Sequence, residues 1–163
     1  MAKMKTSGGL KFESKYYPDD NHGSVPLIAE YDALHAMFLW YKFKEFNKFF
    51  DPKSKASLDE VMKVVQDRYV MLSDRFGYKM LPDENFVNRA GYGFLNNKMN
   101  DKAFAFFDMN TKNYPDSPNV YDSMGDYYLQ QKDTAKAIEF FNKTLALADV
   151  SYTKEKLKKL KKK

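Results

Sequence analysis

The chain has no cysteine and only two histidines among 163 residues. This excludes disulfides, thiolate zinc sites and a cysteine nucleophile. Gly-x-Ser-x-Gly, phosphate-loop and paired metal-ligand motifs are also missing, so the residues imply neither a metal nor a cofactor. No apolar run approaches the roughly 18 residues that a membrane span needs, and residues 1–9 lack the apolar stretch of a signal peptide. Glycine (7) and proline (6) are sparse, whereas apolar residues make up 44% and aromatic residues 17%. Such a chain buries a real core and is no disordered tail. Its length suits one domain, or one small module with a piece of another. Cysteine usage identifies no compartment.

The net charge of +5 invites a nucleic-acid reading, but residues 154–163 alone hold seven lysines against one glutamate. The other 153 residues therefore sum to −1. The basic character belongs to one terminal segment. Rings among lysines would suit stacking on single-stranded nucleic acid. Against this, Phe104, Phe107, Phe140 and Phe141 fall at positions expected to face a helical core.

Displacing the chain by 34 residues lays 84–117 over 118–151, with Gly91 on Gly125, Leu95 on Leu129, Ala103 on Ala137 and Phe106-Phe107 on Phe140-Phe141. Each copy reads as two helices and a short turn. In the second, Ser117 is the expected N-cap with Pro118 at the first helical position, and Val120, Tyr121, Met124 and Tyr128 recur at helical spacing. Asp133 caps the partner helix, whose stripe is Ala137, Ile138, Phe141 and Leu145. Small residues at Gly125 and Ala137 allow the helices a close approach. Leu157 and Leu160 then suit a final helix covering the last hairpin with a narrow apolar edge.

Upstream, Ser57-Leu58-Asp59-Glu60 forms a capping box for a helix that runs to about Phe76 and stops at Gly77. Before it, residues 25–50 predict one long apolar helix closed by Asp51-Pro52, with so little polar face that burial is expected on more than one side. Residues 10–17 alternate as a single strand would.

The 34-residue period and its marks resemble the tetratricopeptide repeat. Those marks fall on Val87, Ala90, Gly91, Phe94, Ala103, Phe107, Asn110 and Pro115, and again on Tyr121, Met124, Gly125, Tyr128, Ala137, Phe141, Thr144 and Asp149. Val87, Asn110, Thr144 and Asp149 depart from the usual residues. The resemblance implies a mainly α chain of helical hairpins, an α-solenoid, with a peptide- or protein-binding groove. By position, that groove is lined by Asn85, Asn88, Tyr92 and Asn96 in the first copy and by Asn119, Asp122, Asp126 and Gln130 in the second. Asp122 and Asp126 disfavour an acidic peptide tail there.

Residues 17–34, with Asp19-Asp20-Asn21-His22-Gly23-Ser24 in a polar loop, resemble the end of an α/β-hydrolase domain of the esterase D and enterochelin-esterase type. In that family, mainly bacterial where it continues into tetratricopeptide hairpins, a last strand, a histidine loop and a closing helix follow one another. The resemblance makes His22 the catalytic base of a serine esterase whose serine and acid precede Met1. It divides the chain into a hydrolase remnant (1–50), a helical spacer (51–83), two repeats (84–151) and a basic capping helix (152–163). On this reading the chain is a hydrolase fragment, inactive alone, with an upstream hydrolase domain as partner. The apolar helix 26–50, left uncovered, would then drive a homodimer; the alternative is that it packs wholly on the helix of residues 57–76 and the first repeat. The other reading is a stand-alone tetratricopeptide interaction module.

Overall fold

The computed structural model describes residues 14–38 and 41–160. No strand occurs among the described residues, and the chain divides into two units after Lys44. The mainly α, hairpin-based architecture expected from the repeat is what the second unit adopts.

In the first unit, α1 spans Val25–Phe38. The turn before it is knit by its own polar groups. Ser24 Oγ donates to Asp20 Oδ1 (2.8 Å), Gly23 N–H donates to Asn21 Oδ1 (2.8 Å), and Val25 N–H donates to the Asn21 carbonyl (2.9 Å). Lys15 and the Tyr17 hydroxyl both bind Asp32, and together they lie along the face of Ala29, Ala33 and Ala36. These two hydrogen bonds, Lys15 first, hold the Asp32 carboxyl below its usual range, while partial desolvation and the Asp32 bond push the Tyr17 phenol up.

Three expectations fail here. Of the strand expected at 10–17, residues 10–13 lie outside the described residues, and residues 14–17 are irregular, with no second strand to pair with among the described residues. The single helix expected over 25–50 ends at Phe38 and resumes only as a 3-10 turn, Lys44–Phe50. Nor is α1 buried on several sides, since none of its residues is buried.

The cause of the break at 44–50 is tertiary. Phe46, Phe49 and Phe50 plug the open end of the repeat core. Phe46 is 1% exposed and meets Phe49, Phe50, Phe86 and Phe94 edge-on at 5.1–6.1 Å between centroids. Asn97 Nδ2 ties the turn down by donating to the Phe50 and Gly93 carbonyls. A continuous α-helix would aim these rings around a cylinder and leave the end of the core open.

The next helix, α2 (Leu58–Phe76), carries the predicted capping box. Ser57 N–H donates to Glu60 Oε2 (2.7 Å), and Glu60 N–H donates back to Ser57 Oγ (3.1 Å). Gly77 ends it with φ of 75°, a left-handed cap that a side chain would strain. Two hairpins follow, α3 (Glu84–Asn96) with α4 (Asn100–Asn113) and α5 (Pro118–Gln130) with α6 (Thr134–Leu147), then α7 (Ser151–Leu160).

Where the helices of each pair cross, the 34-residue displacement holds atom for atom. A Cβ on Gly91 would lie 2.6 Å from a Phe107 ring carbon, and one on Gly125 would lie 2.5 Å from the same ring carbon of Phe141. Lys98 and Lys132, again 34 apart, both turn the chain with φ near +60°. Ser117 occupies the expected N-cap position, but its hydroxyl donates to Glu84 Oε1 (3.0 Å) and makes no cap. Phe107 and Phe141 are fully buried as expected; Phe104 is instead 37% exposed and leans on Tyr127. Among the described residues no helix is long and apolar enough to cross a membrane.

Replacing Phe46 with alanine empties the plug and is expected to destabilise the fold by about 3–5 kcal/mol. Chemical denaturation monitored by helical circular dichroism measures this, and a loss below about 1 kcal/mol would mean the turn is not part of the core.

Candidate functional site

Helices α3, α5 and α7 follow one another as the first helices of successive units, and their inward positions recur every 34 residues. Asn88, Asp122 and Lys156 form one such row; Asn85, Asn119 and Thr153 form another. This spacing places groups of opposite charge on adjacent helices, and the structure joins them.

Asp122 is 4% exposed and fully partnered. It accepts from Thr153 Oγ1 (2.6 Å) and from Lys156 Nζ (2.7 Å). Lys156 also donates to both carboxylate oxygens of Asp126 (2.7 and 2.8 Å), and Asp126 accepts from the Tyr92 hydroxyl (2.8 Å). One ammonium of α7 thus serves two carboxylates of α5, and Tyr92 extends the network to a third helix, α3. Burial by itself would lower the Lys156 pKa, but the hydrogen bonds and charges of Asp122 and Asp126 outweigh it and push it up. Burial, reinforced by the Asp126 charge, also pushes the Tyr92 phenol well above its ordinary value, against the Ser123 hydroxyl. Both groups therefore stay protonated and act as donors throughout the neutral range.

The eight groove positions divide in two. Tyr92, Asp122 and Asp126 belong to this network. Asn119 donates to Glu84 Oε1 (2.9 Å), and Gln130 donates to the Leu95 carbonyl (3.3 Å). The polar ends of these five side chains bind helix to helix. Asn85 and Asn96 are exposed on α3, and between them the Asn88 Oδ1 atom is buried with no hydrogen-bond partner. The exposed polar side chains among these eight positions that bind no neighbouring helix, Asn85 and Asn96, thus lie on α3.

His22 sits exposed in the turn before α1, and its ring makes no hydrogen bond among the described residues. Asp20 is held by Ser24, and Asp32 by Lys15 and Tyr17, so neither orients it. A histidine base needs such an acid and a hydroxyl within reach. His35 is also exposed, stacked on Tyr31 at 5.9 Å with Nε2 3.2 Å from Lys42 Nζ. Among the described residues no cluster of three or more His, Asp or Glu is arranged to hold a metal ion.

Sequence reasoning missed the roles of Thr153 and Lys156. The signal was present, since continuing the 34-residue displacement one step beyond the second copy sets Lys156 in the Asp122 row and Thr153 in the Asn119 row. The lysine-rich composition of the segment concealed it.

Because the Lys156 and Tyr92 pKa values are raised in the folded state, the stability they contribute is complete below their unfolded values near 10 and is lost as pH rises through the folded ones. Thermal melting is expected to be flat from pH 7 to about pH 10 and to fall beyond it. Asp122→Ala strands the buried Thr153 hydroxyl and is expected to cost about 1–3 kcal/mol at pH 7, with faster amide exchange confined to α7. An unchanged midpoint and unchanged α7 exchange would refute the latch. No family model matches the chain, and no curated protein matches it.

Proposed function

We propose that this chain is an interaction module of tetratricopeptide type whose α3 face takes an extended peptide. The observation that carries this is the partial vacancy of the inner face. The second copy spends Asp122 and Asp126 on α7 and Asn119 and Gln130 on α3, while the first leaves Asn85 and Asn96 open beside the unpartnered Asn88 Oδ1. Asparagine both donates and accepts, so a row of them on one helix face matches the alternating N–H and C=O groups of an extended backbone. The repeat supports the same reading, because stacked hairpins present such a face as a consequence of their period.

Panning a random-peptide phage library on the full chain is expected to enrich linear peptides of roughly micromolar affinity, typical of short peptide grooves. Asn88→Ala/Asn96→Ala should abolish their binding without lowering helicity. Failure to enrich any sequence, or enriched peptides that still bind the double variant, would sink the proposal.

A second reading, the closing piece of a serine esterase, is supported by the capped turn that displays His22 and by a helix with no buried residue directly after it. On that reading the chain supplies a base and nothing else. It is expected to hydrolyse p-nitrophenyl acetate no faster than its His22→Ala variant, and to do so in a His22-dependent manner once joined to a domain that supplies serine and acid. His22-dependent turnover by the chain alone would contradict the fragment reading.

A further inference from the structure

One side chain on the exposed face of α3 is charged. The core side of that helix is Val87, Ala90, Gly91, Phe94 and Leu95. At 3.6 residues per turn, Asn85, Arg89 and Asn96 fall within about 40° of one another on the opposite side, and all three are exposed. Arg89 therefore lies within the asparagine row, one turn from Asn85 and two from Asn96. It makes no hydrogen bond or ion pair among the described residues. A guanidinium offers N–H donors in a planar fork and no acceptor, so the group that matches it is a carboxylate or another oxyanion.

The acids around this face have donors of their own. Glu84 accepts from Ser117 and Asn119, and Asp83 accepts from the Phe86 N–H as the cap of α3. Asp122 and Asp126 share Lys156, with Thr153 and Tyr92 as further donors. Of the described charges on the neighbouring 3-10 turn, Glu45 and Lys48 offset each other. The repulsion of an acidic peptide expected from Asp122 and Asp126 is thus halved, and the ammonium of α7 halves it. Asp126 is the acid nearer the open face. Its side chain is 25% exposed against 6% for Asp122, and it holds the hydroxyl of Tyr92, one turn along α3 from Arg89.

We propose that the α3 face selects peptides carrying an aspartate or glutamate side chain, with Arg89 reading the carboxylate and Lys156 permitting it by neutralising the acids alongside. The inference rests on the α3 peptide reading and names the ligand class and its control. Acids outnumber bases around the face, so selection comes from paired hydrogen bonds at Arg89 and not from long-range attraction. Lys156 acts through Asp126 and is a positioning residue.

The test pans a random-peptide library on the full chain, with each peptide fused through its C-terminus to a phage coat protein so that no terminal carboxylate is offered. Enriched peptides are expected to share an acidic position. The strongest is then made with an amidated C-terminus, beside an analogue whose acid is replaced by the corresponding amide. In calorimetry Arg89→Gln, a change at an exposed position, should weaken the acidic peptide about 10- to 100-fold and leave the analogue unchanged. Lys156→Met should weaken the acidic peptide about 10-fold with the analogue unchanged, and Lys156→Arg should restore the parent's preference. Asp126→Asn leaves Lys156 on Asp122 and should instead tighten the acidic peptide, which keeps the test decisive should Lys156→Met loosen α7. Enriched peptides with no shared acid, an Arg89→Gln chain that keeps its preference, or an Asp126→Asn chain with unchanged affinity each overturns this inference alone. So does equal loss of both peptides on Lys156→Met with α7 still docked by amide exchange. A library that enriches nothing, as when an acid of the first unit sits on Arg89, overturns it together with the peptide reading.

Discussion

Each hairpin is set by a phenyl ring lying where a glycine lacks a side chain. Phe107 against Gly91 and Phe141 against Gly125 fix how closely the two helices of a pair approach, and a single added carbon would collide with a ring that is itself fully buried. With that distance set, the other apolar side chains of both helices fall into layers, and the same layers recur 34 residues later. A hairpin built this way cannot bury its own outer faces, so it requires a neighbour at each end. The remainder of the second unit answers that requirement.

The two ends meet it by different chemistry. At the N-terminal end the cover is apolar and aromatic, with Phe46 edge-on to four other phenylalanines in a 3-10 turn that Asn97 holds in place. At the C-terminal end α7 contributes little apolar surface. Leu157 packs on Ala137 and Phe141, with Leu160 beside it, and the rest of the hold is the ammonium of Lys156 between two carboxylates with Thr153 below. A latch of this kind gains direction from its hydrogen bonds rather than large net stability, since desolvating an ion pair offsets much of its attraction. It places α7 at one rotation and one height, which a two-leucine edge does not do.

The same economy shapes the candidate sites. Where a following helix supplies partners, the inner face of the solenoid is closed by its own side chains; where it does not, asparagines remain open on α3. His22 belongs to the first unit, in a turn whose hydrogen bonds are complete without it.

Local and periodic features were legible in the sequence. The capping box at Ser57 and Glu60, the stop at Gly77, the Asp133 cap and the hairpins of both copies depend on residues within one or two turns of each other, and the 34-residue repetition doubled the signal. Partner choice over long distances was not legible. The apolar spacing of residues 25–50 is equally compatible with one long helix, and only the open end of the core, formed by Phe86, Phe94 and Phe106, draws Phe46 into a turn instead. Asp122 and Asp126 read as groove acids because their helix alone shows no cation; Lys156, about 30 residues on, neutralises them once α7 is docked. Sequence period establishes which side of a helix is apolar or polar, whereas tertiary packing decides what each side meets, because burial and charge pairing depend on distances that the chain defines only when folded.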